Sequence, residues 1–289
     1  MIHRCFSCNK SYSARHGTVF EGSKLMIKQI VQLFHCWWCG DKLRDAALKA
    51  QTTQKTACKW YNICRMFCET NAKNSSSRIG GVGLTVEIDE TIFGQRKYHR
   101  GRKKNSRYII GGIQHPARRS KKQASRQQQH IFLEIIPDRS ARILEDTIVK
   151  HVNPRTTIIT DCWTGYNRLE HLGYKHKTVN HSMNFVDPRT GASTQRIEGL
   201  WSHLREFLPR RGLHNDRLKS YLHEFVYKRN HFGQFRQFLA AITTSTRLFP
   251  RKLQEHDPDT DTNDFTSTTR GSDNDFCDED DENDEMMTV

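Results

Sequence analysis

Three carboxylates set in apolar surroundings stand out as residues that could do chemistry. Asp89 interrupts Thr85-Val-Glu-Ile-Asp-Glu-Thr-Ile-Phe93, a strand-like run in which an unpaired charge is costly to desolvate, so the residue needs a partner. Alternation with a period of two puts Glu87 and Asp89 on one face and Ile88 and Glu90 on the other. Asp161 ends the β-branched run Thr157-Ile-Ile-Thr and precedes Cys162-Trp163-Thr164-Gly165-Tyr166, and strand ends in open sheets are where sites form. Glu198 lies in Thr194-Gln-Arg-Ile-Glu-Gly-Leu-Trp-Ser-His-Leu-Arg205, on the flank of a helical stripe made by Ile197, Leu200, Trp201 and Leu204. Two strand-end carboxylates and one on a helix suit two-metal phosphoryl transfer, because hard Mg²⁺ (or Mn²⁺) prefers oxygen ligands. Two such ions, roughly 3.5–4 Å apart, activate an attacking oxygen and stabilise a leaving one. Taken singly, each residue has a plainer reading: Asp89 a strand-end turn, Asp161 a helix N-cap, Glu198 a solvated helix position.

The elements that must position this trio follow from local pattern. Extended runs are expected at Gly83 to Ile92, Tyr108 to Gln114 and His130 to Pro137, joined as an antiparallel meander. Helical spacing then predicts a helix over Asp138 to Val152, followed by strand Thr156 to Asp161, helix Thr164 to Leu172, strand Tyr174 to Asn180 and helix Thr194 to Leu208. Strands first clustered and then alternating with helices give an α/β fold, a mixed sheet flanked by helices. Upstream, helices are expected over Ser23 to Phe34 with Ser23 as N-cap, Asp41 to Ala50 and Thr53 to Cys68. With a Cys- and Trp-bearing turn between them, these three resemble a helix-turn-helix in outline. Turn residues over 71–82 set a boundary near 78. The expected domains are 1–78 for DNA binding, 79–250 for catalysis and 251–289 as an acidic, disordered tail.

Charge supplies the partner. Residues 1–250 carry 43 Lys and Arg against 18 Asp and Glu, a net charge of +25, whereas residues 251–289 carry 3 against 14. Such a surplus neutralises phosphates by counterion release, so nucleic acid is the expected partner and a membrane surface the weaker alternative. Twelve cations sit in the connections between strands: Arg96, Lys97, Arg100, Arg102, Lys103, Lys104, Arg107, Arg118, Arg119, Lys121, Lys122 and Arg126. They could clamp phosphates or direct nuclear import, or simply form a solvated loop face. Seven of nine cysteines fall in the first seventy residues, which suits a local metal site or reduced thiols better than a secreted scaffold. The sequence contains no long apolar run and no signal-peptide pattern, so a soluble intracellular protein is expected, nuclear if eukaryotic and otherwise cytoplasmic.

Four ordered motifs carry a family resemblance: Val86-Glu-Ile-Asp-Glu-Thr91; Ile159-Thr-Asp-Cys-Trp163 with Tyr166; Val179-Asn-His-Ser182 with Phe185-Val-Asp-Pro188; and Ile197-Glu-Gly-Leu-Trp201. Together they resemble the signatures of the Merlin-type DDE transposases and their bacterial insertion-sequence relatives, over most of residues 83–230. Tyr221-Leu-His-Glu-Phe-Val-Tyr-Lys-Arg229 resembles the family's closing helix, and the 36 residues between Asp161 and Glu198 match its spacing. The resemblance implies a ribonuclease H-like fold, with Asp89, Asp161 and Glu198 as catalytic residues and ligands of two Mg²⁺ ions. It further implies terminal inverted repeats and target DNA as partners, and a homo-oligomer assembled on that DNA. His181 matches a motif position and could donate a hydrogen bond to the scissile phosphate, or it could be a structural histidine capping the strand end.

Cys5-Phe-Ser-Cys8, followed by Tyr12-Ser13 and Gly17-Thr-Val-Phe20, looks like the second half of the zinc ribbon that precedes the helix-turn-helix in these transposases. Cys36-Trp-Trp-Cys39 could complete a four-cysteine Zn²⁺ site, although 27 residues separate the pairs. Two rival readings stand beside an active transposase: a domesticated DNA-binding protein without catalysis, and a metal-dependent nuclease that cuts without joining.

Overall fold

A computed structural model describes residues 2–4, 6–9, 11–13, 15–74, 78–93, 107–116, 130–179, 191–209 and 215–245. Its described residues form two compact units, one drawn from Met1–Cys64 and Arg236–Val289, the other from Arg65–Phe235.

The first unit opens with a two-stranded antiparallel ladder, β1 (Ile2–Arg4) and β2 (Ser11–Ser13). Helices α1 (Ile27–Cys39) and α2 (Leu43–Lys49) follow, then the first half of α3 (Gln54–Asn74). Helix α1 starts later and runs further than its sequence suggested. The Ser23 hydroxyl accepts the Leu25 amide in a preceding turn, while the amide of Met26, the N-cap, is met by the Gln29 side chain at 3.0 Å. The segment expected to be a Cys- and Trp-bearing turn is therefore helical. Its residues Cys36 and Trp37 continue the buried stripe of Ile30, Leu33 and Phe34. Helix α7 (Phe235–Thr244) completes this core, with the Phe238 ring 5.1 Å from that of Trp37 and 6.1 Å from that of Phe34.

The second unit is built on a five-stranded mixed sheet in the order β5-β4-β3-β6-β7. Strands β3 (Thr85–Phe93), β4 (Arg107–Gln114) and β5 (Ile131–Ile136) form the antiparallel meander, and β6 (Thr157–Asp161) and β7 (Lys175–Val179) add to it in parallel. A parallel neighbour requires a crossover, and α4 (Ala141–His151) supplies it, burying Leu144 and Ile148 under Val86, Ile88 and Ile158. On the opposite face α5 (Gln195–Phe207) buries Ile197, Leu200, Trp201 and Leu204. With α6 (Asn215–Asn230) it packs on Ile109, Ile113 and Ile131. Each of those α5 side chains contributes about 1.5–3 kcal/mol on burial.

The helix expected over Thr164 to Leu172 is a single 3-10 turn, Thr164–Tyr166, continued by further turns. Successive i to i+3 bonds, Tyr166 to Trp163 and Leu169 to Tyr166, replace α-helical ones. This winding carries both Tyr166 and Leu169 into the core under α4.

Candidate active site

Strand β3 sends its side chains alternately to the two helical layers. Val86 and Ile88 enter the core beneath α4, while Glu87, Asp89 and Thr91 face α5 and Glu90 faces the α4 side. In the parallel pairing with β6, Thr85, Val86 and Glu87 lie opposite Thr157, Ile158 and Ile159. Counting two residues beyond the last pair brings Asp89 level with Asp161, on the same face, at the point where β6 ends. The two carboxylates reached by separate sequence arguments are thus neighbours across one strand gap.

Each is held by its surroundings. The Trp201 indole N–H donates to Asp89 Oδ2 at 2.9 Å, and the Trp163 backbone N–H donates to Asp161 Oδ1 at 3.0 Å. Burial pushes the Asp89 carboxyl above its ordinary range; the Trp201 and Glu90 N–H groups oppose the rise, and the charge of Asp161 adds to it. Room for the Trp201 ring comes from Gly111, which pairs with Asp89 across the ladder. A Cβ there would stand 2.5 Å from the ring carbon Cη2 of Trp201 and 2.8 Å from Leu133. The glycine therefore lets the indole lie against β4 and reach the carboxylate.

Glu87 ties the strand to the helix. Its side chain is 1% exposed, and Oε2 accepts the backbone N–H groups of Arg196 and Ile197 at 2.9 and 3.0 Å, both in the first turn of α5. Oε1 meets His115 Nε2 at 2.6 Å. A carboxylate from the sheet thus satisfies amides that a helix start leaves without partners, and its charge suits the positive end of the helix. The same first turn carries Glu198. Glu198 itself is exposed, with the Thr194 hydroxyl donating to Oε1 at 3.2 Å.

On the α4 side, Glu90 receives the Tyr166 hydroxyl and Arg139 Nη2, the latter at 2.9 Å. Burial raises the Glu90 carboxyl and the Tyr166 phenol together; Tyr166 and Arg139 moderate Glu90, while the Glu90 charge drives the phenol still higher. The cation of Arg139 also bears on Asp89 and Asp161.

Among the described residues, no three His, Cys, Asp or Glu side chains are gathered as a metal cluster. Asp89 and Asp161 come together, and Glu198 is positioned on the adjoining helix without closing on them. The donor set nonetheless fits a hard divalent ion, since Asp89, which the charge of Asp161 pushes further up, would gain with its neighbour by sharing a cation. Among the described residues, Cys8, Cys36 and Cys39 are not gathered into one group: Cys8 and Cys39 are exposed, Cys36 is buried in the α1 stripe, and all three are free thiols. Burial raises the Cys36 thiol, which disfavours the thiolate a zinc ligand needs. Cys58 is disulfide-bonded, against the expectation of reduced thiols. His181, Cys5 and the cations Arg100, Arg102, Lys103, Lys104, Arg118, Arg119, Lys121 and Lys122 lie outside the described residues. Sequence reasoning missed the network of Glu87, Gly111, Arg139 and the Trp201 N–H; two glycines inside the apolar run Ile109-Ile-Gly-Gly-Ile113 were the one available signal.

The family model of the ISXO2-like transposase domain matches residues 80–230, more than half of the chain and all five strands of the sheet. No curated protein matches the sequence. Among the solved structures similar to this chain, two cover 69% of it. The Mos1 strand transfer complex shares 11% identity over 72% of its own chain, with a TM-score of 0.28. A pre-cleavage Mos1 transpososome shares 10% identity over 73%, also at 0.28. These likenesses are too remote to argue from, and the family match stands without them. The second unit is a DDE transposase domain, as the ordered motifs implied. The chain belongs to the ISXO2-like transposase family.

Proposed function

We propose that the chain cuts DNA at the ends of its element and joins the freed 3′-hydroxyl to target DNA, using a ribonuclease H-like domain. The observation that carries this reading is the placement of Asp89 level with Asp161 on adjacent parallel strands, beside a helix start bound to the same strand. Asp89, Asp161 and Glu198 would hold Mg²⁺ or Mn²⁺. Divalent ions bound there supply activation of the attacking oxygen and charge stabilisation of the leaving one. The protein's own groups do the positioning. Trp201 fixes the Asp89 carboxylate by its N–H, the Trp163 amide orients Asp161, and Glu87 sets the start of the helix that bears Glu198. His181 would donate to the scissile phosphate, and the Arg and Lys clusters at 100–104 and 118–122 would clamp the DNA backbone. The first unit, with α2 and α3 as a helix-turn-helix-like pair, would read the terminal repeats, and the chain would assemble on them as a homo-oligomer.

The test uses purified protein, Mg²⁺ and DNA carrying the inverted repeats that flank the coding sequence. Cleavage followed by strand joining is the expected result. Asp89→Ala, Asp161→Ala and Glu198→Ala are each expected to abolish cleavage while leaving repeat binding intact, and retained cleavage in any of them rejects its assignment. A nuclease would cut without joining, and a domesticated binding protein would do neither.

A further inference from the structure

The ring of Trp163 is 42% exposed, yet everything behind it is fixed. Its own amide is bound to Asp161, so the indole stands two residues from the carboxylate pair. The Arg139 guanidinium lies against the ring, with Cζ 4.6 Å from the centroid. Arg139 is in turn anchored at 2.9 Å on Glu90, whose side chain is 1% exposed and also takes the Tyr166 hydroxyl. At the edge of the indole, Gly165 provides clearance: a Cβ there would stand 2.8 Å from Trp163 Nε1 and 3.0 Å from Leu144. Withdrawing a carboxylate and a guanidinium from water is expensive. Here that expense holds in place an aromatic surface that folding leaves partly in solvent.

From this geometry we propose that Trp163 is a stacking platform for an unpaired nucleobase of the DNA strand held at the Asp89–Asp161 pair. The proposal rests on the strand-transfer reading of that pair. Every base has a π-face, so a rigid indole accepts any of them, and the cation on the ring adds to the attraction. A base in a duplex is already stacked on its neighbours. The occupant must therefore be a nucleotide released from pairing next to the bond being cut.

The test measures binding of the full chain to two fluorescein-labelled DNAs, a blunt duplex and the same duplex with a short unpaired thymidine overhang. Ca²⁺ replaces Mg²⁺ so that binding is read without cleavage. The wild-type protein is expected to prefer the overhang. Trp163→Ala is expected to lose that preference by roughly 5- to 100-fold, the scale of one stacked base, with blunt-duplex affinity unchanged. Trp163→Phe keeps a ring and should keep most of the preference, and Gly165→Ala should weaken it with Trp163 still present. An unchanged preference in Trp163→Ala overturns the proposal. So does equal loss on both DNAs, which would make the ring a structural support, or loss of self-association with the preference intact, which would assign it to a contact between copies. Because no cleavage is required, these outcomes are independent of whether Asp89→Ala still cuts DNA, the result on which the strand-transfer reading falls.

Discussion

Replacing Glu87 tests whether a single sheet carboxylate holds α5 in place. Both backbone bonds fall on one oxygen, Oε2, and His115 sits on the other. In Glu87→Ala the amides of Arg196 and Ile197 lose their acceptor inside a buried site, and each buried unsatisfied donor costs about 1–3 kcal/mol. Adding the lost favourable charge at the helix start, about 0.3–1 kcal/mol, the total comes to about 2–7 kcal/mol. Glu87→Gln keeps the shape and leaves a carbonyl oxygen for both amides, so only the charge-assisted part is lost, about 1 kcal/mol. In thermal melts followed by far-UV circular dichroism, a unit of this size shifts by about 2–4 °C per kcal/mol. Glu87→Ala should therefore melt about 5–25 °C below the wild type and Glu87→Gln about 3 °C below it. Equal shifts in the two variants, or an alanine shift of only a degree or two, would refute the idea that Glu87 caps α5.

Other perturbations follow from the same contacts. Gly111→Ala drives a methyl into the Trp201 ring and Leu133, and overpacking of this kind costs about 1–3 kcal/mol. Urea titration should show that loss, and a variant as stable as the wild type would mean the indole does not lie against β4. Tyr166→Phe removes the hydroxyl that meets buried Glu90, which should cost about 1–2 kcal/mol in the same titration; no loss would remove Glu90 from the network. The Glu134 carboxyl lies well below the ordinary carboxylate range. Burial alone would raise it, but hydrogen bonds from His151 and Lys150 and their charges hold it down to about 2. A folded-state value below the ordinary 4.5 means its stabilisation is complete above that pH and is lost as pH falls toward 2. With Lys150 largely in solvent, we expect about 1–2 kcal/mol. The stability gap between wild type and Glu134→Gln should therefore narrow from pH 5 downward, and a gap independent of pH would contradict the assignment.

Much of the sheet was legible because β3, β4 and β6 bury residues on both faces and announce themselves as runs rich in Ile, Val and Thr, so Asp89 and Asp161 stood out as charges in the wrong company. The role of Glu87 was not legible. Its partners are backbone amides 109 and 110 residues away, and a backbone donor leaves no mark in a sequence. The turn expected at Cys36 and Cys39 proved helical for a different reason. Their spacing fits a metal knuckle, but three residues is also nearly one helical turn, and Trp37 gave α1 an apolar side chain worth extending for. Gly165 and Gly173 could have warned that the Thr164 to Leu172 segment would wind more tightly than an α-helix. Helix α7 was passed over because its apolar residues complete a core begun two hundred residues earlier.

That last arrangement bears on how the polypeptide is made. Phe238 lies against Phe34, Trp37 and Trp38, so the amino-terminal unit is left with an open seam until the ribosome has delivered everything up to α7. The transposase domain must emerge, and can begin to fold, before the segment ahead of it is finished. A premature stop far downstream of residue 64 would therefore damage the beginning of the chain as well as its end.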